Sequence, residues 1–409
     1  MSGQPWLTLV GIGADGPDGL GREAREALVE AELLAGGARH LAMLPEDGRP
    51  RLVWGSPLAA SLAELLTHRG RQVVVLATGD PLWHGIGRLL LRHVPFPEIR
   101  VLPHVSAFQL ACSRLGWALE DTHPLSLHGR PLEQLRRHLQ PGRRLLLLTS
   151  DGAAPAAIGA LLVEAGFGAS HVVVLEELSG PRERVVATTA AALRGERFAE
   201  LNVVAVTLDP AAPGLPEIPG LPDEAYAHDG QLTKAEVRAA TLAALAPLDG
   251  QLLWDVGAGA GSIGIEWLRS GRNMRAVAIE RDPVRAERIG LNAKRLGVPE
   301  LEVRVGEAPD ALESLPPPDA IFVGGGVAGA GLLASCWGKL RPGGRLVANT
   351  VTIAGEAALL AFRAEHGGSL VRIALSRAES IGGQLAWRPA LPVIQLSTRK
   401  TCVAASSSA

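Results

Sequence analysis

The stretch LLWDVGAGAGS (residues 252–262), followed by VAIE (residues 277–280), decides the fold of the second half of this chain. An apolar run ends close to an acidic residue, three glycines alternate after it, and a second apolar run ends in Glu280 about twenty residues further on. This order predicts a strand, a tight turn without large side chains, a helix and a second strand, as in a Rossmann-like unit. A carboxylate at the end of the second strand can accept hydrogen bonds from both ribose hydroxyls, so the spacing predicts a nucleoside cofactor.

The residues of the turn indicate which nucleoside is bound. Dinucleotide sites usually read G-x-G-x-x-G, with a helix N-terminus aimed at a pyrophosphate, whereas the pattern here is D-x-G-x-G-x-G. Asp255 would repel a pyrophosphate but could bind an amino-acid ammonium or lie near a sulfonium, which favours S-adenosylmethionine over NAD. An NAD-dependent reductase, or a glycine-rich turn without a ligand, stays open as an alternative. The candidate cofactor-binding residues are Asp255, Gly257, Ala258, Gly259, Ala260, Gly261 and Glu280.

Length and composition limit the classes of protein that fit. A chain of 409 residues exceeds one ordinary core and predicts two or three domains. The net charge of −2 and the single tyrosine argue against a nucleic-acid-binding surface. Scattered cysteines and histidines without ligand spacing predict neither disulfides nor a metal site, which fits a cytoplasmic protein. We see no signal peptide and no membrane-spanning stretch, so we expect no membrane partner.

A proline-rich stretch divides the chain. Prolines occupy every third position from 210 to 222, which prevents a helix and predicts an extended connector. On both sides apolar strand-like runs alternate with helical patterns, which predicts α/β architecture. Helices are expected over residues 24–34 and 234–245, among others, and the last strands over residues 370–376 and 393–397. We therefore expect domains at residues 1–208 and 225–400, a linker at 209–224 and a disordered tail at 401–409.

Four motifs mark the first half, and two of them directly follow predicted strands: VGIG (10–13), ATGDP (77–81), PHVSAF (103–108) and SLHGRP (126–131). Each loop alone could be a plain turn, but ligands of open α/β sheets bind at the carboxyl ends of strands. Together the motifs resemble the tetrapyrrole methylase family over roughly residues 5–208. The resemblance implies a two-lobed fold with S-adenosylmethionine held between the lobes, mainly by backbone. The contacts that it implies are Gly79, Asp80, Pro81, Ser106 and Ala107.

Further segments of the first half, at residues 85–88, 115–117 and 148–152, look most like the branch of cobalamin (vitamin B12) biosynthesis that methylates a precorrin at C-5. His104 and His128 lie on loops near the predicted cleft, where either substrate contact or ordinary turn chemistry would explain them. Five tryptophans are expected in the core or in a pocket wall: Trp83, Trp117, Trp254, Trp267 and Trp387.

The segment HDGQLTKAEVR (residues 228–238) follows the linker directly. Thr233 and Glu236 have the spacing of a capping box, in which each side chain satisfies an amide at the start of a helix. Lys234 and Arg238 are four residues apart and would share one helix face. They are either a solvated pair of charges or a clamp for substrate carboxylates.

The second half, over roughly residues 225–400, resembles the decarboxylating precorrin methyltransferases, a class I Rossmann-like family. The resemblance rests on D-G-x-x-T-K-x-E-V-R, WDVGAGAGSIGIE (254–266), AIE (278–280), GEAP (306–309) and IFVGGG (321–326). It implies cofactor contacts from Thr233, the glycine turn, Glu280 and Ala308. Relatives of this half form tetramers, which makes a homo-oligomer one possible state of this chain and leaves its oligomeric state open.

The order of the two halves matches that of bifunctional precorrin methyltransferases. It implies that the first domain methylates a precorrin tetrapyrrole at C-5, while the second methylates C-15 and removes the C-12 acetate as carbon dioxide. One S-adenosylmethionine site per domain is implied, two per chain. Lys234 and Arg238 are candidates for orienting the substrate, and His228 or Asp229 for proton transfer. A methyltransferase acting on RNA or protein, or a non-catalytic scaffold, is the alternative.

Overall fold

The computed structural model describes residues 5–401, so residues 402–409 of the predicted tail lie outside it. The chain forms two compact units. The first unit contains the described chain up to Arg130 together with Gln140–Pro213. The second unit contains Pro131–Leu139 together with the described chain from Gly214 onward. Residues 208–222, where prolines recur, form neither a helix nor a strand.

The first sheet of the first unit is parallel throughout, in the order β3-β2-β4-β1-β5. Its strands are β1 (Leu7–Ile12), β2 (Leu33–Gly36), β3 (Arg51–Val53), β4 (Val73–Thr78) and β5 (Ile99–Leu102). Its helices are α1 (Arg22–Glu30), α2 (Ala38–Leu41), α3 (Leu58–Thr67), α4 (Gly87–Leu90) and α5 (Ala107–Leu115). Apolar side chains cover both faces of the sheet, as the near-continuous apolar runs of β1 and β4 require.

The helix predicted over residues 24–34 is wrong at its end. Helix α1 stops at Glu30, and Leu33 already begins β2, which pairs with β4 from Leu33↔Val73. The apolar periodicity continues across this boundary, but strand pairing within the buried sheet overrides it.

The second sheet of the first unit is mixed, in the order β6-β7-β10-β8-β9. It consists of β6 (His123–Ser126), β7 (Arg144–Leu148), β8 (His171–Glu176), β9 (Arg184–Thr189) and β10 (Asn202–Thr207), with helix α6 (Ala154–Glu164). The central strand β10 runs antiparallel to both of its neighbours, and only β6 and β7 pair in parallel.

The second unit is built on a seven-stranded sheet in the order β13-β12-β11-β14-β15-β19-β16. The strands are β11 (Leu252–Val256), β12 (Arg275–Glu280), β13 (Glu302–Val305), β14 (Ala320–Val323), β15 (Arg345–Thr350), β16 (Ser369–Ile373) and β19 (Val393–Arg399). The helices are α7 (Ala235–Leu245), α8 (Ser262–Arg269), α9 (Pro283–Arg295), α10 (Leu332–Lys339) and α11 (Ile353–His366). Strands β11 to β15 are parallel, and the strand order reverses between β11 and β14, where Rossmann-like sheets bind ligands.

A two-stranded hairpin, β17 (Ser376–Ile381) and β18 (Gln384–Pro389), was not expected from the sequence. Gly382 and Gly383 connect its strands with positive φ angles of 58° and 83°, as a tight hairpin turn requires. The hairpin exposes large apolar side chains, and Trp387 is 75% exposed. The expectation that Trp387 belongs to the core or to a pocket wall is therefore wrong, whereas Trp254 and Trp267 are fully buried.

Candidate active sites

The first unit contains a cavity of about 520 Å³, here called the first cavity. It is lined by the residues after β4, by the segment that starts α5 and by strand ends of the second sheet. Of the five residues predicted to contact a cofactor here, Gly79, Asp80, Ser106 and Ala107 line this cavity. Pro81 is buried and does not line the cavity, which corrects the prediction that it contacts the cofactor directly.

Gly79 lies where three segments of backbone meet. Its amide donates to the Ile12 carbonyl at 3.1 Å, and its own carbonyl accepts from the His104 amide at 3.2 Å. The φ angle of Gly79 is +58°, and a Cβ atom there would lie 3.1 Å from Ser106 Cα. Only glycine fits this conformation and this contact easily, so the loop presents backbone rather than side chain to the cavity.

Ser106 has a structural task that the sequence signalled and we did not predict. Its hydroxyl accepts from the Gln109 amide, while the Gln109 side chain accepts from the Ser106 amide, which is a complete capping box for α5. The pattern S-x-x-Q was visible at residues 106–109. The hydroxyl of Ser106 therefore serves the start of α5.

The structure distinguishes the two histidines of this half, His104 and His128, whose roles the sequence left open. The His104 ring nitrogen Nε2 lies 3.1 Å from the Gly19 carbonyl oxygen, and the ring is not in the cavity wall, which favours turn chemistry. His128 is exposed and lines the first cavity, which leaves substrate contact open to it. The sequence reasoning missed Arg39 and His40, which line the same cavity from α2. The signal for them was Gly36-Gly37, which interrupts an apolar strand just before them.

The second unit contains a larger cavity of about 1030 Å³, here called the second cavity. It lies at the carboxyl ends of the parallel strands, where the strand order reverses. The predicted cofactor residues in its wall are Thr233, Gly257, Ala258, Gly259, Ala260, Glu280 and Ala308. Asn349, at the end of β15, also lines it and was not predicted.

The three glycines of the turn have positive φ angles of 70°, 60° and 77° but different surroundings. A Cβ atom at Gly257 would lie 2.7 Å from the Gly325 amide nitrogen, and one at Gly261 would lie 2.6 Å from Ile289 Cγ2. A Cβ atom at Gly259 would meet only the Gln231 carbonyl oxygen, at 3.7 Å. Gly257 and Gly261 thus permit close backbone and helix packing, while Gly259 keeps the cavity floor free of a side chain. Gly261 itself lies outside the wall.

Glu280 is held in place at the end of β12 and is 5% exposed. Its Oε2 accepts from the Gly259 amide at 2.8 Å, and its Oε1 accepts from the Asp282 amide at 3.1 Å. A carboxylate has about four lone-pair sites, so each oxygen can still accept a hydrogen bond from a ligand. This arrangement fits a pair of ribose hydroxyls.

Asp255 does not line the second cavity, which corrects the argument that used it to choose a cofactor. It is 1% exposed, and its Oδ2 accepts from the Gly264 amide of α8 at 2.9 Å. Burial raises the pKa of Asp255 to about 7. Because side chains alternate along a strand, Asp255 shares with Leu253 the face of β11 that packs on α8. The carboxyl group therefore caps a helix inside the core.

The predicted capping box at the start of α7 is wrong. The helix is capped by Lys234, without a side-chain hydrogen bond. The carbonyl of Thr233 accepts from Arg238, and Glu236 instead forms an ion pair with Arg377 at 2.7 Å. An ion pair with a distant residue thus replaces the local contact that the spacing suggested.

Arg238 is fully buried, which contradicts both interpretations of it, the solvated pair with Lys234 and the substrate clamp. Its Nε donates to Glu266 and one Nη to Asp223, each at 2.8 Å. Its guanidinium also donates to the carbonyls of Leu221 and Thr233 and lies 4.9 Å from the centre of the Tyr226 ring. Arg238 therefore fastens the segment before α7 to α8, and its full burial keeps it away from a substrate.

The three other candidates for catalysis differ in position. Lys234 lines the second cavity, with Nζ 3.4 Å from Asp223 Oδ2. His228 is exposed outside the wall, and its Nδ1 accepts from the Gly230 amide at 3.0 Å.

Asp229 also lies outside the wall and pairs with Arg285 and Arg288 at 2.9 and 3.1 Å. The hydrogen bond from the Gln231 amide and these two guanidinium groups lower the pKa of Asp229 to about 2. Asp229 is thus a poor proton donor at neutral pH, which corrects its predicted role; of the four candidates, only Lys234 faces this cavity.

Asn349 belongs to a buried polar network behind the second cavity. Its Nδ2 donates to Thr241 Oγ1 at 2.9 Å, and its Oδ1 accepts from Gln395 Nε2 at 3.0 Å. Gln395 also donates to Thr241 at 3.1 Å, so the amide of Asn349 has a fixed orientation at the cavity wall. The polar residues that end β15 after an apolar run were the available signal.

Within residues 5–401, no group of three or more His, Cys, Asp and Glu side chains could hold a metal ion. In the same part of the chain, the helices are all too short or too polar to cross a bilayer.

Comparison with known proteins gives each half a family. Residues 6–194 match the tetrapyrrole (corrin/porphyrin) methylases, and residues 224–400 match the precorrin methyltransferase domain. A Sinorhizobium precorrin-6Y C(5,15)-methyltransferase [decarboxylating] is 51% identical over 400 residues, which is 97% of each chain. The chain belongs to this precorrin-6Y C(5,15)-methyltransferase family.

Two shorter relatives match one half each. A cobalt-precorrin-7 C(5)-methyltransferase of Salmonella typhimurium is 35% identical over 49% of this chain and 98% of its own length. A probable cobalt-precorrin-6B C(15)-methyltransferase (decarboxylating) of Pyrobaculum aerophilum is 34% identical over 43% of this chain and 93% of its own length. The family is thus a fusion of two parts that also occur as separate proteins.

Proposed function

We propose that this chain methylates precorrin-6Y (precorrin-6B) at C-5 and C-15 and removes the C-12 acetate as carbon dioxide, giving precorrin-8X in cobalamin biosynthesis. The observation that carries the proposal is the 51% identity to a precorrin-6Y C(5,15)-methyltransferase over 97% of both chains. The protein is a decarboxylating C-methyltransferase, and S-adenosylmethionine is the methyl donor that its family implies.

We assign C-5 methylation to the first unit and C-15 methylation with decarboxylation to the second. The activities named for the two shorter relatives support this division. We further propose one S-adenosylmethionine site per unit. In the second cavity the bare floor at Gly259 and the anchored carboxylate of Glu280 fit the nucleoside. In the first cavity the backbone around Gly79 and Ser106 fits the same ligand through amides and carbonyls.

Methyl transfer needs little covalent chemistry from the protein. The bound sulfonium supplies a reactive methyl group, and the electron-rich macrocycle supplies the attacking carbon. The walls of each cavity align the two reactants and limit the access of water. Such alignment can lower the activation barrier by about 7–11 kcal/mol. Decarboxylation leaves electrons that the conjugated macrocycle can accept. Lys234 lies in the wall of the second cavity. We propose that it orients a substrate carboxylate or transfers a proton in that step.

We also propose that the chain self-associates through the β17–β18 hairpin. Ile381, Leu385 and Trp387 on this hairpin are 61%, 79% and 75% exposed, which is unusual for side chains of this size. Analytical ultracentrifugation of the wild type and of a Leu385→Lys, Trp387→Lys double variant tests the idea. An oligomer that dissociates in the variant is expected, and a monomeric wild type contradicts it.

Incubation of the full chain with precorrin-6Y and methyl-¹³C-labelled S-adenosylmethionine tests the function. Two labelled methyl groups, at C-5 and C-15, and one carbon dioxide per tetrapyrrole are expected. Carbon NMR locates the methyl groups, and trapped gas counts the carbon dioxide. Absence of label from the tetrapyrrole contradicts the function, and label at a single carbon without carbon dioxide contradicts its bifunctional part.

A further inference from the structure

The wall of the first cavity holds a positive charge without a counter-ion. The Arg39 Nη2 atom lies 3.2 Å from Thr78 Oγ1 and 3.1 Å from His40 Nε2, and both of these partners belong to uncharged side chains. Within residues 5–401, no carboxylate forms an ion pair with Arg39, and partial burial lowers the pKa of its guanidinium. The Arg39 side chain is exposed at this wall, so an anionic ligand that enters the cavity can reach its guanidinium.

His40 orients this guanidinium and adds a donor. A guanidinium only donates, so the Nε2 atom of His40 accepts and the ring proton resides on Nδ1. Burial and the charge of Arg39 lower the pKa of His40 to about 4, which keeps the ring neutral at physiological pH. The Nδ1 atom is buried and has no hydrogen-bond partner. Thr78 also contacts His40 Nε2, at 2.9 Å, so the three side chains form one hydrogen-bonded group.

The nearby acidic residue does not neutralise Arg39. Glu177 also lines the first cavity, but its two carboxylate oxygens accept from Arg182 at 2.7 and 2.9 Å. Its effect on Arg39 is a longer-range electrostatic one. The fork of the Arg39 guanidinium, of which Nη2 alone has a hydrogen bond in the structure, is therefore open to a planar anion.

We propose that Arg39, held by Thr78 and His40, binds a carboxylate of a ligand in the first cavity. Two sources carry this chemistry: an acetate or propionate arm of the tetrapyrrole, and the carboxylate of the amino-acid part of the cofactor. The proposal deepens the function proposed above and rests on it for the identity of these ligands.

The test uses the full chain with Arg39→Gln, which removes the charge at similar length. Arg22→Gln is the matched control, because Arg22 is an exposed arginine of the same unit. KM for the tetrapyrrole and for S-adenosylmethionine is measured separately for C-5 and C-15 methylation. We expect Arg39→Gln to raise one of the two KM values for C-5 methylation at least tenfold and to leave C-15 methylation unchanged. The ligand whose KM rises identifies the source of the carboxylate.

Binding measurements keep this test independent of catalysis. S-adenosylhomocysteine and 5′-methylthioadenosine differ in the amino-acid part, and uroporphyrin supplies eight carboxylates on a tetrapyrrole. A wild type that binds these ligands without methylating C-5 would refute the proposed function but still report on the site. If Arg39→Gln matches Arg22→Gln in both KM values and in the affinities for S-adenosylhomocysteine and uroporphyrin, the carboxylate site is refuted. Circular dichroism of both variants checks that the fold is intact.

Discussion

The two cavities of this chain solve a similar problem with different atoms. Both lie at the carboxyl ends of parallel strands, and both use a glycine with positive φ to keep side chains out of the floor. The second cavity adds a carboxylate, Glu280, that two backbone amides hold in place. The first cavity instead presents loop backbone and an uncompensated guanidinium, Arg39. A side chain at a fixed strand end is visible in a sequence, whereas a site made of backbone is visible only through its glycines.

Among the substitutions considered, Arg238→Leu is expected to produce the largest difference in stability between the two units. Removal of the guanidinium leaves Glu266 buried without its positive partner, which typically costs about 3–5 kcal/mol. Hydrogen exchange should show lost protection of β11 in the second unit and unchanged protection of β4 in the first. Arg22→Leu, at an exposed i, i+4 pair, is the control and should change neither. Unchanged protection of β11 in Arg238→Leu would show that the buried network does not support the unit.

Asp255→Asn tests whether the carboxyl group of Asp255 has a structural role or binds a ligand. The pKa of Asp255 is raised from 3.8 to about 7, so the folded protein keeps a proton that the unfolded chain releases. Its contribution to the stability of the second unit therefore falls as pH rises from about 4 to about 7, and stays constant above that. At 1.36 kcal/mol per pKa unit, the fall is roughly 4 kcal/mol.

Urea unfolding of wild type and Asp255→Asn across this pH range measures the difference. The variant should lack this part of the pH dependence and should bind S-adenosylhomocysteine within about threefold of wild type at pH 8, because Asp255 is outside the cavity wall. A tenfold loss of affinity for S-adenosylhomocysteine would show that Asp255 belongs to the binding site after all.

Glu280→Gln should impair cofactor binding in the second cavity and leave the first cavity unaffected. The variant loses the negative charge that we propose accepts both ribose hydroxyls. We expect kcat/KM for C-15 methylation to fall about 100-fold, which is about 2.7 kcal/mol, with C-5 methylation unchanged. Glu302→Gln, on the exposed edge strand β13, is the matched control. Equal losses at C-5 and C-15 would refute the assignment of one cofactor to each unit.

A comparison of Gly79→Ala with Gly48→Ala tests the proposal that backbone atoms bind the cofactor in the first cavity. Both glycines have positive φ, 58° and 79°, so both substitutions should cost about 1–2 kcal/mol of stability. Only Gly79 would gain a tight contact, with Ser106 at 3.1 Å, while Gly48 has open space around it. Steady-state kinetics should show a KM for S-adenosylmethionine about fivefold higher at C-5 in Gly79→Ala alone. Similar kinetics in the two variants would argue against a backbone site at Gly79.

The strand–turn–strand pattern of the second unit could be predicted because its signals are local. Glycines at alternate positions and a carboxylate after an apolar run require no knowledge of distant residues, and the structure places both in one wall. The same holds for the motifs around Gly79 and Ser106, whose loops follow or precede regular elements.

The errors arose where a long-range partner decides the outcome. Asp255 and Leu253 share the face of β11 that α8 covers, and the sequence does not show which face is covered. Arg238 has the spacing of a surface pair with Lys234, but its acceptors come from segments 15 and 28 residues away. Glu236 was assigned to a local capping box and pairs instead with Arg377, 141 residues further on. Arg39 was missed because the features that single it out are its place in a cavity wall and its lack of a counter-ion.

The number of S-adenosylhomocysteine molecules bound per chain tests the central claim most directly. Isothermal titration of the full chain should give two sites, with Glu280→Gln weakening one of them and Gly79→Ala weakening the other. A stoichiometry of one, or the same site weakened by both substitutions, would contradict the account of two separate cofactor cavities.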